Sequence, residues 1–447
     1  MYKFEKNKKE VINMSITLKG NAASLNGMIE VPGDKSISHR AVILGSIANG
    51  KTTVSNFLFA EDCLSTIQCM RQLGVKIETD ERSNHVIIHG KGIESLKEPS
   101  DVLYTGNSGT TTRLLIGLLS GTHFFTVIKG DKSIQRRPMD RVVHPLRLMG
   151  AHIDGRNNGV YTPISIRGNK LSGINYQLPV ASAQVKSALL LAGLQANDEL
   201  ILSGKIHSRD HTERMLTQFG VVVDSTENHL RITKGKSLTG TNIMVPGDFS
   251  SAAFFIVMAM LVPNSCISIK NVGLNPTRTG LLDVIKMMGG TFEISDLEVI
   301  NEEPRGTITV QYSPLKCVTI DGDLIPRVID EIPIIALLAT QAEGTTIIKN
   351  ASELKVKESN RIKTVVQELS KLGAQIEELE DGLKIYGKSK LHGGCNVQTH
   401  GDHRIGMMLA AASLICKEEI EIEDESCISI SYPSFFQDLQ KIVHYHE

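Results

Sequence analysis

The chain has 447 residues, with 48 Lys and Arg against 49 Asp and Glu, and a formal net charge of −1. Its length predicts two or more domains, and its balanced charge excludes the basic footprint of a nucleic-acid-binding protein. Seven scattered cysteines show no metal-ligand spacing, which indicates reduced thiols in a cytoplasmic protein without a metal site. No apolar run is long enough to cross a membrane, so no membrane association is expected.

One pattern recurs about six times along the chain: a strand, a polar turn, an apolar helix, a break of small residues, a second strand and a second helix. Five copies close on a glycine that follows a large apolar residue, at Gly74, Gly150, Gly220, Gly289 and Gly373. The sixth copy, from about Cys395 to the C-terminus, lacks this glycine. Several helices are apolar on all sides and are therefore expected to be buried, with the sheets outside. The pattern predicts an α/β fold of six repeated units.

The tetrapeptide Val-Pro-Gly-Asp occurs at residues 31–34 and again at 245–248, each time ahead of three copies of the pattern. Adjacent Pro and Gly mark a chain reversal or a fixed crossing. We therefore expect two lobes joined at these segments. One lobe is inserted and comprises residues 33–245, and the other is discontinuous and comprises residues 14–32 plus 246–447. Residues 1–13 are rich in Lys and Glu and are expected to form a disordered extension.

The copies differ where their first helices begin, and those helix starts carry the polar residues. A helix N-terminus has free N–H groups and a partial positive charge, so it is a ready site for an anion. If the copies converge in space, their helix starts line an anion-binding pocket. The six starts lie at residues 33–36, 106–109, 181–184, 247–250, 329–331 and 401–404.

Cations cluster at or near several of these starts. Lys35 and Ser36 open the first helix, and the charge of Arg40 needs an anionic partner because apolar residues resume directly after it. Arg137 belongs to a stretch of four cations within residues 131–141. That stretch is equally consistent with a clamp for phosphate or carboxylate and with a solvated charged loop.

Two carboxylates have cations close to them in the sequence. Asp330 opens a helix in an apolar stretch, and Glu358 lies between Lys357 and Arg361, whose spacing of four residues predicts one helical face. The pair would serve as general base and general acid if cations hold one ionised and burial tunes the other. An ordinary surface ion pair with a first-turn acid is the alternative, and the sequence alone does not separate the two.

Residues 45–52 match the P-loop pattern of nucleotide-binding proteins letter for letter. The phosphate-binding mechanism of that loop needs a strand before it and a helix after it. Here the sequence predicts a helix before the match and a strand after it. We therefore predict no nucleotide site at this position.

Taken together, the motifs resemble those of the 5-enolpyruvylshikimate-3-phosphate synthase family. The resemblance covers nearly the whole chain after Met14, and its motifs follow in the family's order at residues 31–40, 106–110, 136–138, 356–361 and 401–404. It implies an inside-out αβ prism of two lobes, with three βαβαββ units in each lobe. This architecture agrees with the repeats.

The resemblance implies transfer of the enolpyruvyl group of phosphoenolpyruvate to the 5-hydroxyl of shikimate 3-phosphate, by addition and elimination of phosphate, on the route to chorismate and aromatic amino acids. Both substrates carry a phosphate and a carboxylate, which accounts for the cations without a metal or cofactor. A monomer with these two small molecules as its only partners is expected.

The family's functional residues transfer to matching positions. Shikimate 3-phosphate would be held by Ser36, Arg40, Ser182, Gln184 and Lys357. Phosphoenolpyruvate would be held by Lys35, Gly109, Arg137, Arg361 and Arg404. Asp330 would bind the 5-hydroxyl and take its proton, and Glu358, helped by Lys35, would protonate the methylene carbon.

Three positions depart from the family's enterobacterial pattern, which has Ala at Ser108, Ser at Ala183 and Lys at Ile430. The first two resemble class II of the family, so tolerance of glyphosate is predicted. The third implies that one phosphate-facing cation is missing or replaced.

Two alternatives remain. The sister enolpyruvyl transferase that acts on UDP-N-acetylglucosamine uses a loop cysteine as general acid, but no cysteine lies between Cys69 and Cys266. A repeat-built protein that binds anionic sugars without chemistry would not need Asp330 and Glu358.

Overall fold

The structure is a computed structural model that describes residues 15–233 and 237–446. The predicted extension at residues 1–13 lies outside the described residues. The described chain forms six small sheets and a set of mostly buried helices. The prediction of an α/β fold with six repeated units is confirmed. No helix among the described residues is long and apolar enough to cross a membrane.

Three sheets are formed by strands between residues 49 and 244. In order across each sheet, the strands are Asn242–Met244, Asn49–Ser55, His85–Lys91 and Lys76–Asp80; Leu103–Tyr104, Phe125–Lys129, Tyr161–Arg167 and His152–Gly155; and Asn175–Leu178, Leu200–Gly204, His229–Ile232 and Asp224–Ser225. Each sheet begins with one parallel pair and continues with two antiparallel pairs.

The other three sheets contain the remaining strands. Their orders are Phe292–Ile300, Glu303–Gln311, Cys266–Gly273, Ala22–Glu30 and Val443–Tyr445; Thr319–Ile320, Thr345–Ile348, Gly382–Tyr386 and Gln375–Leu379; and Ser15–Leu18, Ile420–Glu423 and Asn396–Gln398. The first two of these sheets contain the same sequence of one parallel and two antiparallel pairs. The repeat seen in the sequence is therefore a repeat of sheet topology.

The α-helices are Lys35–Ile47, Glu61–Gln72, Gly109–Leu119, Asp140–Leu148, Ala183–Gly193, His211–Gln218, Phe249–Leu261, Gly280–Met287, Ile325–Val328, Ile332–Thr340, Arg361–Lys371, His403–Ser413 and Phe435–Ile442, with a distorted turn at Arg156–Gly159. Short 3-10 helices span Ile93–Ser95, Ile134–Arg136, Gly322–Leu324, Ser352–Val356 and Glu425–Ile430. The five repeated glycines have φ between 84° and 102°, which glycine adopts without steric cost at the end of a helix.

Buried apolar side chains form two separate clusters. One draws its residues from between Ile37 and Val245, and the other from Ala22 to Val31 and from Phe249 to Ile442. Within the first cluster, helices Gly109–Leu119 and Ala183–Gly193 pack so closely that a Cβ on Gly117 would lie 2.2 Å from the carbonyl oxygen of Ala188.

The chain crosses between the two sets of sheets at the two Val-Pro-Gly-Asp segments. The Asp34 N–H donates to the Pro246 carbonyl and the Asp248 N–H to the Pro32 carbonyl, each at 2.8 Å. The Arg278 guanidinium lies between the two carboxylates, 3.3 Å from Asp34 and 3.0 Å from Asp248. Each crossing segment is therefore fixed by the other.

Candidate functional site

A cavity of 680 Å³ lies where helix starts from both sets of sheets meet. Eleven of the twelve predicted site residues line it: Lys35, Ser36, Arg40, Gly109, Arg137, Ser182, Gln184, Asp330, Lys357, Glu358 and Arg404. The twelfth, Arg361, is buried behind the wall and ion-pairs with both Asp330 and Glu358. The helix starts therefore meet at one cavity, as expected.

The helix starts are set by side-chain caps. The side chains of Asp34, Ser108, Ser182 and Asp402 each accept an N–H from the first turn of the helix that follows. A capping oxygen satisfies one of the free N–H groups and fixes the direction in which the helix leaves. Polar residues just after the cap consequently point towards the cavity.

The cavity has two walls of opposite charge. We call the lining residues from 33–245 the N-side wall and those from 246–447 the C-side wall. Among the described residues that line the cavity, the N-side wall has seven Lys and Arg and one acid, Asp62. The C-side wall has three Lys and Arg against five acids. The cavity has an excess of four positive charges in a chain whose net charge is −1.

On the N-side wall, the Lys35 ammonium lies 3.0 Å from an Asp62 carboxylate oxygen. Burial lowers the pKa of Lys35, but Asp62 and Glu358 together outweigh that effect, and the pKa ends above its ordinary value. Lys35 therefore carries a proton at neutral pH.

Arg40 reaches the cavity from the second turn of the same helix. Its guanidinium donates to the Ser36 carbonyl at 2.9 Å, the Thr212 hydroxyl at 2.6 Å and the Ser187 hydroxyl at 2.7 Å. Burial lowers the pKa of Arg40 to about 10, so the group stays charged. All three of these acceptors are neutral.

Gly109 lies between two guanidinium groups. A Cβ at this position would be 2.8 Å from Nη1 of Arg113 and 3.1 Å from Nη1 of Arg137. Arg113 also donates to Gln184 Oε1 at 2.6 Å, and Arg137 to Asn107 Oδ1 at 3.1 Å. Glycine leaves the helix N–H groups and both guanidiniums open to an anion.

Asp330 is the most heavily paired acid of the C-side wall. Its carboxylate lies 3.4 Å from Lys357 Nζ, 3.1 Å from Arg361 Nη1 and 3.7 Å from Arg404 Nη2, and it also pairs with Arg209. Burial raises the pKa of Asp330, but these four cations outweigh burial and hold the pKa well below its ordinary value.

Glu358 is similarly ionised. Arg361 Nη2 lies 2.5 Å from one carboxylate oxygen, and Arg137 Nη1 lies 3.5 Å from the other. Burial raises the pKa of Glu358, but Arg361 and Arg137 hold it well below its ordinary value. The prediction that Lys357 and Arg361 share a helical face is wrong, because the helix begins only at Arg361 and Lys357 precedes it.

Three ion pairs join the walls across the cavity, each with its cation on the N-side wall. They are Arg137 with Glu358, Arg141 with Glu353, and Arg209 with Asp330. The first and third neutralise the two acids that the sequence nominated for proton transfer. An entering anion would compete with those acids for the same guanidiniums.

Several buried polar atoms on the walls have no partner in the part of the chain that the structure describes. They are Asp62 Oδ1, Arg137 Nε, Ser208 Oγ, Arg278 Nε and both ring nitrogens of His403. Burial, then the Lys35 charge, keeps the pKa of His403 well below its ordinary value, so the ring is neutral. A buried polar atom without a partner costs free energy, and a ligand with matching polar atoms would remove that cost.

Asp62, Arg113 and Arg209 line the cavity but were not among the predicted site residues. Asp62 and Arg209 lie at the starts of second helices of their repeats, so applying the helix-start rule to every helix would have found them. Ile430 does not line the cavity; it packs, partly buried, against the second apolar cluster.

Comparisons with known proteins agree with this geometry. The sequence profile of EPSP synthase (3-phosphoshikimate 1-carboxyvinyltransferase) matches residues 20–439. A 3-phosphoshikimate 1-carboxyvinyltransferase of Bacillus pumilus is 59% identical over 418 residues, which cover 94% of this chain and 97% of the relative. The protein of the same name from Bacillus subtilis is 58% identical over 419 residues, covering 94% and 97%.

Solved structures show the same fold. An EPSP synthase from Acinetobacter baumannii superposes with a TM-score of 0.84 at 42% identity, covering 96% of this chain and 98% of that structure. The enolpyruvyl transferase NikO from Streptomyces tendae has a TM-score of 0.76 at 16% identity, covering 96% of each chain, and supports the fold alone. With the profile and the relatives, these matches show that the chain belongs to the EPSP synthase (3-phosphoshikimate 1-carboxyvinyltransferase) family.

Proposed function

We propose that the chain transfers the enolpyruvyl group of phosphoenolpyruvate to the 5-hydroxyl of shikimate 3-phosphate, using the residues that line this cavity. The observation that carries the assignment is a cationic N-side wall facing two buried, ionised carboxylates, Asp330 and Glu358. Two substrates with a phosphate and a carboxylate each would match the excess of positive charge.

The two substrates are assigned to different parts of the cavity. Shikimate 3-phosphate would occupy the side formed by Ser36, Arg40, Ser182, Gln184 and Lys357. Phosphoenolpyruvate would occupy the side formed by Lys35, Gly109, Arg137, Arg361 and Arg404. The crowding of Arg113 and Arg137 around Gly109 supports the second assignment, because no side chain would fit between them and a bound phosphate.

Addition would begin at the 5-hydroxyl. Its oxygen bonds to C2 of phosphoenolpyruvate while its proton passes to Asp330, and the methylene carbon gains a proton to become a methyl group. The product of this step is a tetrahedral ketal phosphate. Asp330 is a weak base while four cations hold it, so substrate anions that draw Arg209 and Arg404 away would strengthen it.

The proton for the methylene carbon would come from Lys35 and Glu358 acting together. Lys35 is the group that holds a proton at rest, and Glu358 is deprotonated because Arg137 and Arg361 flank it. A bound phosphoenolpyruvate would compete for those two guanidiniums and add negative charge nearby. Both effects raise the pKa of Glu358 and make it able to receive a proton and pass it on.

Elimination would remove a proton from the carbon that gained one during addition. The methyl group returns a proton to Glu358 or Lys35, the C2–O bond to phosphate breaks, and the enolpyruvyl ether remains. The departing phosphate keeps its negative charge, to which the cations of the N-side wall bind in every step. Both walls must be in contact for these steps, because the anion-binding cations and the two acids lie on opposite sides.

We further propose that residues 33–245 and residues 14–32 plus 246–447 are the two lobes and close on one another around the substrates. The two separate apolar clusters and the paired crossing segments support this division. Because one chain supplies both walls, a monomer would be sufficient for activity. All seven cysteines are free, which fits a reducing compartment such as the cytoplasm.

Glyphosate tolerance stays a prediction. Ser108 is buried as the cap of the helix that starts at Gly109, and Ala183 begins another helix that lines the cavity. An inhibition constant for glyphosate in the range of the substrates' own binding constants would contradict it.

The function is tested by phosphate release from phosphoenolpyruvate, with and without shikimate 3-phosphate, in the presence and absence of a chelator. Release that requires shikimate 3-phosphate and is unaffected by the chelator is expected. Release with UDP-N-acetylglucosamine instead, or none with either acceptor, would overturn the assignment.

A further inference from the structure

Four buried side chains that take no part in the proposed chemistry form a continuous hydrogen-bonded chain beneath the site. His39 Nδ1 lies 2.7 Å from Thr66 Oγ1, Thr66 Oγ1 lies 2.6 Å from Thr111 Oγ1, and Thr111 Oγ1 lies 2.7 Å from Ser108 Oγ. All four residues are fully buried. We call these residues the hydroxyl chain.

The direction of the chain follows from counting protons. The Thr111 hydroxyl donates to Ser108 Oγ, with the Asp62 carbonyl as a more distant acceptor at 3.4 Å. Its single proton is therefore not available to Thr66, so the Thr66 hydroxyl is the donor to Thr111. Thr66 must then accept from His39, which fixes the proton of this ring on Nδ1.

The neutral ring is also what its surroundings favour. Burial lowers the pKa of His39 to about 3, and its Nε2 has no partner among the described residues. His39 consequently acts as a permanent donor at one end of the chain.

The hydroxyl chain lies one helical turn behind the Lys35–Asp62 ion pair. His39 follows Lys35 by four residues on one helix, and Thr66 follows Asp62 by four residues on the next, so each pair shares a helical face. The His39–Thr66 bond therefore lies beneath the Lys35–Asp62 ion pair.

The other end of the chain fixes the third helix. Ser108 Oγ accepts both the Thr111 hydroxyl and the Thr111 N–H, which caps the helix beginning at Gly109. That helix presents the Gly109 N–H end and Arg113 to the cavity. The helices that carry Lys35, its partner Asp62 and the Gly109 N–H end are thus joined by one line of hydrogen bonds.

We propose that His39, Thr66, Thr111 and Ser108 are positioning residues. They set the distance between Lys35, which its ion pair with Asp62 holds in place, and the Gly109 helix start, so that the ammonium and the helix N–H groups bind one phosphate. The proposal rests on the assignment of phosphoenolpyruvate to this side of the cavity. None of the four residues touches substrate in this account; they act through Lys35, Asp62 and Gly109.

The test compares buried Thr→Val substitutions, which keep side-chain shape and remove one hydroxyl. Thr66→Val and Thr111→Val break the chain. Thr126→Val is the matched control, because Thr126 is buried on strand Phe125–Lys129 and its hydroxyl has no partner among the described residues. Steady-state constants for both substrates are measured below the unfolding transition of every variant.

We expect Thr66→Val and Thr111→Val to raise the KM for phosphoenolpyruvate roughly tenfold, since small misplacements of positioning groups are costly. The KM for shikimate 3-phosphate should change by less than about twofold, and Thr126→Val should leave both constants unchanged. His39→Asn keeps a donor where Nδ1 lies, so its KM for phosphoenolpyruvate should stay close to that of the wild type. His39→Leu removes the donor and should behave like Thr66→Val.

A chain that only stabilises the fold would lower the melting temperature of the variants and leave the KM for phosphoenolpyruvate unchanged. That result, or equal effects on both substrates, would overturn the proposal. The wild-type protein is assayed in parallel, so failure of the proposed function would appear as absence of turnover in the wild type. Failure of this inference would appear as active variants that match Thr126→Val.

Discussion

The two walls of the cavity differ in sign: seven cations and one acid on the N-side wall, three cations and five acids on the C-side wall, counted over the described residues that line it. The single acid of the N-side wall is paired with Lys35. On the C-side wall, Asp330 and Glu358 each pair with one cation of the N-side wall and with Arg361, which lies behind the C-side wall. In the proposed mechanism, the N-side wall holds the anions and supplies Lys35, and the C-side wall supplies the two acids that exchange protons.

In the proposed mechanism, neither wall alone is sufficient for the reaction. Arg137 and Arg209 of the N-side wall neutralise the two acids of the C-side wall. Substrate anions would replace those acids as partners of the cations. Binding and activation of the acids would then be the same event.

The largest effect on the difference between the walls is expected from removing the charge of the two C-side acids, Asp330 and Glu358. Asp330→Asn or Glu358→Gln should lower kcat about 10²- to 10⁴-fold, because proton transfer is lost, while the N-side wall still binds shikimate 3-phosphate. Steady-state kinetics with titration of shikimate 3-phosphate measures both effects.

Asp323→Asn is the matched control, because this exposed acid lines the same cavity on the same wall. It should leave kcat unchanged. Wild-type rates in Asp330→Asn or Glu358→Gln would show that these acids do not carry out the proton transfers assigned to them.

The next largest effect is expected from Arg209, which joins the walls through Asp330. Arg209→Gln should lower kcat/KM about tenfold or more, since truncating one partner of a partly buried charge pair typically costs at least that much. Arg209→Lys should be intermediate, and Arg231→Gln, on an exposed sheet away from the cavity, should have no effect. Equal losses in Arg209→Gln and Arg231→Gln would show that the loss does not depend on the cross-wall pair.

The sequence predicts which residues form the walls, but it does not predict how those residues pair. The helix starts follow from the repeated pattern, since capping and helix periodicity are local. The set of twelve site residues follows from the resemblance of the motifs to the EPSP synthase family. Arg209 and Asp330 are 121 residues apart, so their contact depends on how the two sets of sheets pack. The sequence likewise does not separate a surface ion pair from a buried, ionised acid. For Asp330 and Glu358, the packing of the two sets of sheets decides this, because it buries both acids and brings cations of the N-side wall to them.

A smaller effect should appear in the pH dependence of stability. Asp330 and Glu358 have pKa values below their ordinary 3.8 and 4.5, so near those values the unfolded chain binds more protons than the folded one. The free energy of unfolding should be fully supported above about pH 5 and should fall as the pH drops through the folded pKa values. Urea unfolding at several pH values in this range should give a free energy of unfolding that depends less on pH in Asp330→Asn than in the wild type. An unchanged dependence on pH would show that Asp330 is not held ionised.

The smallest effect is expected at the rim. Arg141 and Glu353 also join the walls, but their side chains are 37% and 36% exposed, and exposed pairs contribute only about 0–1 kcal/mol. Glu353→Gln should change kcat/KM less than about fivefold, and added salt should remove the difference. A loss as large as that of Arg209→Gln would mean that the rim, not the buried pair, controls closure.

The most direct test of the central claim, that the proton of the methylene carbon passes through Glu358 of the C-side wall, is to follow deuterium in D₂O by NMR. Addition turns the methylene of phosphoenolpyruvate into a methyl group, so the reverse steps should leave solvent deuterium in the vinyl group. Wild type should incorporate deuterium only when shikimate 3-phosphate is present, and Glu358→Gln should bind both substrates without measurable exchange. Exchange in Glu358→Gln at the wild-type rate would contradict the assignment of proton transfer to this wall.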